Sequence, residues 1–368
     1  MSVAGRMTVA MTLEQCWHRV PGGTAVAALG MARALGQGDA VEVIGVAAAH
    51  RSPPPAPWNP PVEVRHLPLP RLALYEAWHR LRQPAVERAT GPVDLIHATA
   101  LTVPPRTVPL IVTIHDLAWL DEPQNFTRRG VGFFDRALLV TKRDADLVLC
   151  PSRATQDACL RYGFEENRLR VLPLGVDAEP ATQDEVTRVK RDYGLERPYV
   201  LWTGTIEPRK NLRGLLGAFE SIDAPVDLVL VGPKGWNEDL EPLLAKQGER
   251  VKTLGFVPRA DLGPLYAGAT VFCWPSFLEG FGFPILEAMA QGTPVVTSRG
   301  TSTEEIAADA GILVDPGDPR SIAEGIDRVL SDEGEARELA QRGRSRAAVY
   351  TWERTGELLE SAYREVIG

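Results

Sequence analysis

Short apolar runs alternate along this chain with longer segments whose apolar residues recur at helical spacing. Met7–Met11 and Val41–Val46 read as strands, and Thr24–Leu35 between them sets Val26, Leu29, Ala32 and Leu35 on one helical face. Val93–His97 and Leu110–Ile114 read as buried parallel strands. A helical stretch, Phe133–Arg143, leads to a strand-like run, Leu147–Cys150; helical spacing then runs from Pro151 through Tyr162, and Leu169–Gly175 closes a β/α series. The charged stretch from Val176 to Arg197 reads as a connector with a leading helix. A second series follows: strands at Val200–Thr203, Val226–Gly232, before Leu254-Gly255-Phe256-Val257, at Ala269–Trp274, Pro294–Ser298 and Leu313–Pro316. Leu212, Leu215, Leu216 and Phe219 mark one of its helices, Ser302-x-x-Glu305 suits a capping box, and Trp352–Val366 forms a last amphipathic helix. The pattern predicts an α/β protein with parallel sheets.

Length makes that two domains, because 368 residues exceed the size at which single cores usually stop growing. Charge adds an asymmetry. The net value of −8 argues against a general nucleic-acid binder. Cut after Val176, the first part has 19 Lys+Arg against 16 Asp+Glu, a balance of +3, and the second 21 against 32, or −11. The first part can therefore face an anionic partner. Cys16, Cys150, Cys159 and Cys273 show neither metal-ligand spacing nor a secreted disulfide pattern, so reduced thiols in a cytoplasmic protein are expected. The apolar stretch near the N-terminus, broken by Thr8 and Thr12, is too weak for a signal peptide, and no run reaches membrane-spanning length. Leu72–Arg82 combines Leu72, Leu74, Tyr75, Trp78 and Leu81 with His79, Arg80 and Arg82. It reads either as a basic amphipathic segment making peripheral contact with the inner face of a membrane, or as a helix packed on its own domain.

The chemistry concentrates between Pro275 and Gly292, where an apolar run turns through Gly280 and Gly282 into a helix opened by Pro284. Glycines let a backbone approach a ligand, and Pro at a first helical turn loses no hydrogen bond. The free amides and the helix dipole favour an anion such as phosphate. Glu279 and Glu287 flank the turn, and carboxylates at an anion site serve as acceptors for hydroxyl groups, which sugars supply. The segment Glu279-Gly280-Phe281-Gly282-Phe283-Pro284-x-x-Glu287 resembles the E-x7-E signature of family 4 of the retaining glycosyltransferases, which have the GT-B fold. Ala288-Met289-Ala290-x-Gly292-Thr293-Pro294-Val295-Val296 continues the likeness. It extends over nearly the whole chain, more loosely from about Ala47 to Ala89.

A second motif, Gly204-Thr205-Ile206-Glu207-Pro208-Arg209-Lys210-Asn211, lies between a strand and a helix, where its cations can reach anionic groups. It resembles the form found in bacterial mannosyl- and related hexosyltransferases of group 1. Many members have arginine directly after the glycine, where this chain has Thr205; Lys210 is the firm match and Arg209 stands in for the missing charge. The resemblance implies two Rossmann-like domains facing each other across a cleft: an acceptor-binding domain over residues 1–176, a nucleotide-sugar-binding domain over 177–350, and a helix from 351 to 368 returning to the first. It implies that Gly23, in Pro21-Gly22-Gly23, lies near the donor phosphates and acceptor, that His115 lies near the transferred sugar, and that Phe256 and Val257 recognise the nucleobase through main chain. Gly204, Gly232, Phe281 and Phe283 complete the expected donor site, with Glu279 on the sugar and Glu287 on the ribose.

The activity implied is transfer of a hexose, mannose favoured, from a nucleotide donor such as GDP-mannose to a glycan, lipid-linked or small-molecule acceptor. Neither a metal nor another cofactor is expected. Asp144-Ala145-Asp146 has the D-x-D form of metal-dependent enzymes, yet it joins a helical pattern to a strand, where solvated turn residues are the simpler reading. A nucleotide-sugar epimerase and a non-catalytic nucleotide-sugar binder are the competing functions; Glu279, Lys210 and Glu287, all present, argue against the second.

Overall fold

The computed structural model describes residues 5–177, 179–235 and 240–368, so part of the N-terminal stretch read for a leader lies outside the described residues. The chain forms two compact units, Met1–Gly175 with Thr351–Gly368, and Val176–Tyr350. The first holds a seven-stranded parallel sheet: β1 (Met7–Thr12), β2 (Val41–Ala47), β3 (Val64–His66), β4 (Leu95–Ala98), β5 (Leu110–Thr113), β6 (Leu147–Cys150) and β7 (Leu169–Val171), ordered β3-β2-β1-β4-β5-β6-β7. The second holds six: β8 (Tyr199–Thr203), β9 (Asp227–Val231), β10 (Val251–Gly255), β11 (Val271–Trp274), β12 (Val295–Ser298) and β13 (Gly311–Val314), ordered β10-β9-β8-β11-β12-β13. Each sheet reverses its winding between two neighbours, β1/β4 and β8/β11. Open α/β sheets bind ligands at the C-terminal ends of the strands beside such a switch point.

Burial explains why these segments become strands. Every residue of β4, β5, β6, β8, β9, β11 and β12 is buried, as parallel strands covered by helices require. β3, three residues at an edge with two exposed, follows the proline-rich run and escaped the apolar reading. β7 is shorter than the apolar pattern, since after Leu172 donates to the Cys150 carbonyl the chain meets Pro173, which has no amide to offer. β13 lies earlier than Leu313–Pro316 because Asp315 already begins a turn, accepting from the Gly317 amide at 2.8 Å.

Three local expectations are corrected. Pro21-Gly22-Gly23 is not a free turn: the helix Gly22–Gly36 starts there, with Pro21 at its N-cap. The cap expected at Ser302 falls on Thr301, whose hydroxyl accepts from the Thr303 amide at 3.1 Å, while Glu304 accepts from the Gly300 amide at 2.6 Å. Asp144 and Asp146 are not loosely solvated. Arg82 and Arg143 hold Asp144 at 2.8 and 2.5 Å, and Arg106 holds Asp146 at 2.7 Å. They precede β6, at the end of the sheet away from the ligand-binding strand ends. The helix Arg71–Leu81 buries Leu74, Tyr75, Trp78 and His79 within its own unit and leaves Leu72 and Leu81 exposed. No helix among the described residues is long and apolar enough to cross a membrane.

The C-terminal helix Trp352–Ile367 packs on the helix Gly22–Gly36 of the first unit. Its Tyr363 hydroxyl lies 2.8 Å from Nδ1 of buried His97, and Trp352 seats over a glycine. A Cβ on Gly30 would lie 2.2 Å from the Trp352 ring, so only glycine lets that indole in. Gly30→Ala is therefore expected to destabilise the first unit by about 1–3 kcal/mol, the usual cost of overpacking. In a thermal unfolding scan this lowers the midpoint by about 2–4 °C per kcal/mol for a unit of this size; an unchanged midpoint refutes the assignment.

Candidate active site

At the switch point of the second unit, the loops after β8 and β11 carry most of the residues singled out from the sequence. The chain leaves β8 through Gly204, at φ 149°, and forms a 3-10 turn, Pro208–Lys210. Asn211 follows in the left-handed region, where its side chain can turn back on its own backbone. Its Oδ1 caps the helix Leu212–Phe219 by accepting from the Gly214 amide, and its Nδ2 donates to the Pro275 carbonyl at 3.0 Å and the Pro316 carbonyl at 2.6 Å. The Phe277 amide donates to the Arg209 carbonyl at 2.9 Å. Asn211 and this main-chain bond fix the two loops against each other.

Their charges meet at Glu279. Arg209 Nη1 donates to Glu279 Oε2 at 2.6 Å and to the Leu278 carbonyl at 2.8 Å, while Nη2 donates to Glu207 at 2.8 Å. Lys210 Nζ lies 3.5 Å from Glu279 Oε1 and 4.5 Å from the centre of the Trp274 ring. Burial raises the Glu279 carboxyl, but Arg209 and Lys210 outweigh it and hold the group below its ordinary value of 4.5. Burial also presses the Lys210 ammonium below its usual range, with Arg209 adding to the effect and Glu279 opposing it. Arg209 takes the short contact, so Lys210 is the less compensated cation.

Gly282, at φ 127°, is the N-cap of the helix Phe283–Gln291, with Pro284 in its first turn. The Ser302 hydroxyl reaches the Glu279 carbonyl at 2.7 Å and that of Phe281 at 3.0 Å, which holds the glycine turn in place; diverted to this use, it is not a cap. Phe281 and Phe283 meet edge to face at 5.2 Å. Glu287 stands apart from Glu279 in its partners. Its Oε2 accepts from the Tyr266 hydroxyl at 3.0 Å, and that hydroxyl lies 2.8 Å from Thr203 Oγ1. Burial raises the Glu287 carboxyl, with Arg259 and Tyr266 opposing. Gly232 ends β9 so close to β8 that an added Cβ would lie 1.8 Å from the Gly204 carbonyl oxygen. Thr205 is half-buried, Phe256 is exposed and Val257 buried beyond β10.

Gly23 and His115 belong to the first unit. Gly23 is exposed in the first turn of the helix Gly22–Gly36. His115 follows β5, and its Nε2 lies 2.9 Å from the Thr99 carbonyl, an acceptor, so this nitrogen carries the proton. Burial lowers the imidazole from its ordinary value, against the pull of Thr99 and Asp116, leaving it neutral with Nδ1 free to accept. Asp116 caps the turn that follows, accepting from the Ala118 amide at 3.1 Å. Sequence reasoning missed Tyr266, Trp274 and Ser302 as parts of the second unit's site. No spacing rule marks them, since each reaches it from a separate element. Among the described residues no group of three or more His, Cys, Asp or Glu is gathered to hold a metal ion.

Paired cations and a glycine-capped helix N-terminus at a switch point define an α/β protein built to hold an anionic ligand at its second sheet. Comparison with known proteins narrows the class. Residues 184–346 match the model "Glycosyl transferases group 1" and residues 21–180 the model "Glycosyltransferase Family 4". O-antigen chain mannosyltransferase B of Escherichia coli is 33% identical over 73% of this chain and 74% of its own length. A D-inositol 3-phosphate glycosyltransferase of Salinispora tropica is 31% identical over 94% of this chain and 81% of its own length. The crystal structure of Anabaena Alr3699/HepE in complex with UDP-glucose superposes with a TM-score of 0.77, at 21% identity, over 98% of this chain and 100% of that one. The chain belongs to the family 4, group 1 glycosyltransferases; it has their GT-B fold and is an enzyme that transfers sugar.

The opposite shifts of Glu279 and Glu287 give a test of the site as built. A carboxyl held low in the fold stabilises above its ordinary value of 4.5 and loses that stability as pH falls through the folded value. A carboxyl held high, as Glu287 is, loses stability as pH rises from 4.5 through its folded value. Glu279→Gln should therefore flatten the acid limb of a stability–pH profile, besides costing about 3–5 kcal/mol for breaking a buried pair. Glu287→Gln should relieve a loss above pH 4.5 instead. Identical profiles for the two variants in urea titrations would contradict these environments.

Proposed function

We propose that the enzyme moves mannose, with retention of configuration, from GDP-mannose to a hydroxyl of a glycan or lipid-linked acceptor, and that it does so without a metal ion. The second unit holds the donor and the first supplies the acceptor. The reading is carried by one observation: two part-buried cations share one carboxylate beside a helix N-terminus, at strand ends where a diphosphate can bind. The names of the relatives favour mannose, since an α-(1→4)-mannosyltransferase of Mycolicibacterium hassiacum, 28% identical over 75% of this chain and 72% of its own length, joins the E. coli enzyme.

As the glycosidic bond breaks, charge gathers on the leaving phosphate, and fixed donors act most strongly where charge develops. Lys210 and Arg209 meet that charge. The amides from Gly280 to Phe283 hold the ground-state diphosphate, Gly204 and Gly232 leave room beside it, and Thr205 lines the approach. The sugar hydroxyls lie by Glu279, the ribose by Glu287, and the base against the main chain of Phe256 and Val257. In the first unit Gly23 borders the phosphates and neutral His115 accepts from a sugar hydroxyl. Attack comes from the face the phosphate leaves, and the phosphate helps to take the acceptor proton, so Glu279 is no nucleophile.

A panel of nucleotide sugars tests the donor. GDP-mannose at 100 times its dissociation constant should stabilise by about 2.7 kcal/mol, and the resulting transfer should survive EDTA; a shift with UDP-glucose alone would replace the donor, and activity restored only by Mn²⁺ would end the metal-free reading. Lys210→Ala should lower kcat by about 10²–10³ with little change in donor affinity, because the lysine's extra interaction forms only in the transition state. A raised KM with unchanged kcat would make Lys210 a uniform binding residue.

A further inference from the structure

On the first sheet, the strand ends on one side of the switch point gather a second constellation. β1 runs into a 3-10 turn, Glu14–Trp17, and His18; β2 leads to His50; β3 ends at His66. These are three of the chain's six histidines. Glu14 is buried, with 2% of its side chain exposed, and pairs with His50. Its Oε2 accepts from the Ala48 amide at 2.7 Å, and both oxygens lie within reach of His50 Nε2, at 2.9 and 3.0 Å. A carboxylate oxygen accepts, so His50 Nε2 carries the proton it shares with Glu14, and in that Nε2–H tautomer Nδ1 keeps its lone pair.

The ring is held from its face as well. Trp17 stacks on His50 with centroids 4.7 Å apart and planes within 6°, and its Nε1 is anchored on the Ser52 carbonyl at 2.9 Å. His66 meets both rings edge-on, at 5.6 and 6.1 Å, with its Nδ1 fixed on the Ala48 carbonyl. A buried carboxylate that selects one tautomer, with stacking that fixes the ring, leaves one imidazole nitrogen as a placed acceptor. His50 keeps 18% of its side chain exposed, so the ring is within reach of a ligand. A lone pair backed by a carboxylate suits a hydroxyl donor and disfavours the oxygens of a phosphate; a partly exposed indole beside it suits the apolar face of a ring.

We propose that His50, set by Glu14 and walled by Trp17, is an acceptor-recognition residue that takes a hydroxyl of an uncharged hexose ring. The assignment rests on the first unit serving the acceptor, as proposed above. His50 touches the acceptor and Glu14 is a positioning residue, acting through the tautomer it imposes.

The test uses the full chain with GDP-mannose and a panel of methyl hexosides, with mannose 1-phosphate and inositol 1-phosphate as the charged arm. His50→Ala and Trp17→Ala should each raise the KM for the accepted hexoside about tenfold, a hydrogen bond's worth or more, while the rate of donor hydrolysis and the donor-induced thermal shift stay at wild-type values. Trp17→Phe should keep most of the affinity. Glu14→Gln is read by ¹⁵N spectra of His50, expected to show an Nε2–H tautomer in the wild type and a shift towards Nδ1–H in the variant, with acceptor KM rising in step. Unchanged acceptor KM in His50→Ala, an Nδ1–H tautomer in the wild type, or transfer confined to the phosphorylated arm would each overturn the proposal. If the wild-type chain fails to bind or turn over the donor, the donor reading falls instead, and the tautomer measurement still decides Glu14 and His50.

Discussion

Glu279 is the point on which the second unit's site depends. A buried carboxylate is costly unless paired and hydrogen-bonded, and so are the two cations beside it. Each therefore holds the others where they are. Arg209 reaches Glu279 only because the turn Pro208–Lys210 is pinned by Asn211, and Glu279 faces Arg209 only because Ser302 fixes its carbonyl. Removing any one support leaves charge without a partner, so the polar groups act as a unit rather than as a sum of contacts.

The fold was legible because its signal is carried by long, regular burial. Strands such as β6 and β8 are buried at every position, and the order of strands and helices leaves few topologies for a parallel sheet. Elements failed where burial was partial, as at the edge strand β3, or where side-chain chemistry competed, as at Ser302, whose hydroxyl serves a distant carbonyl. The E-x7-E stretch and the Arg209-Lys210 pair were legible as motifs, since each lies within one continuous segment. Tyr266 was not, because its link to Glu287 joins separate helices and has no local period. The Asp144-Ala145-Asp146 stretch misled in the opposite way: its place between a helix and a strand suggested solvent, yet Arg82, Arg106 and Arg143 close on it.

The two switch points differ in electrical character. At β8/β11 two permanent cations and two carboxylates meet, an arrangement suited to a ligand that is charged at every working pH. At β1 and its neighbours the groups are imidazoles, a phenol, one carboxylate and Arg71. Burial, followed by Arg71 and His50, lowers His18 to about 4, and it lies 3.2 Å from the Tyr75 hydroxyl. Such a surface offers donors and acceptors rather than the paired cations of the second unit.

The first unit is discontinuous, closed by Thr351–Gly368 after the whole second unit has intervened. Synthesis runs from the N-terminus, and domains usually fold as they emerge from the ribosome. Here the indole that fills the space over Gly30, and the phenol that meets His97, leave the ribosome after the whole second unit. The first unit must therefore wait with part of its surface uncovered until the C-terminal helix emerges, whereas the second can close earlier. Part of the first unit's surface stays open to chaperones and proteases until Trp352–Ile367 returns to it.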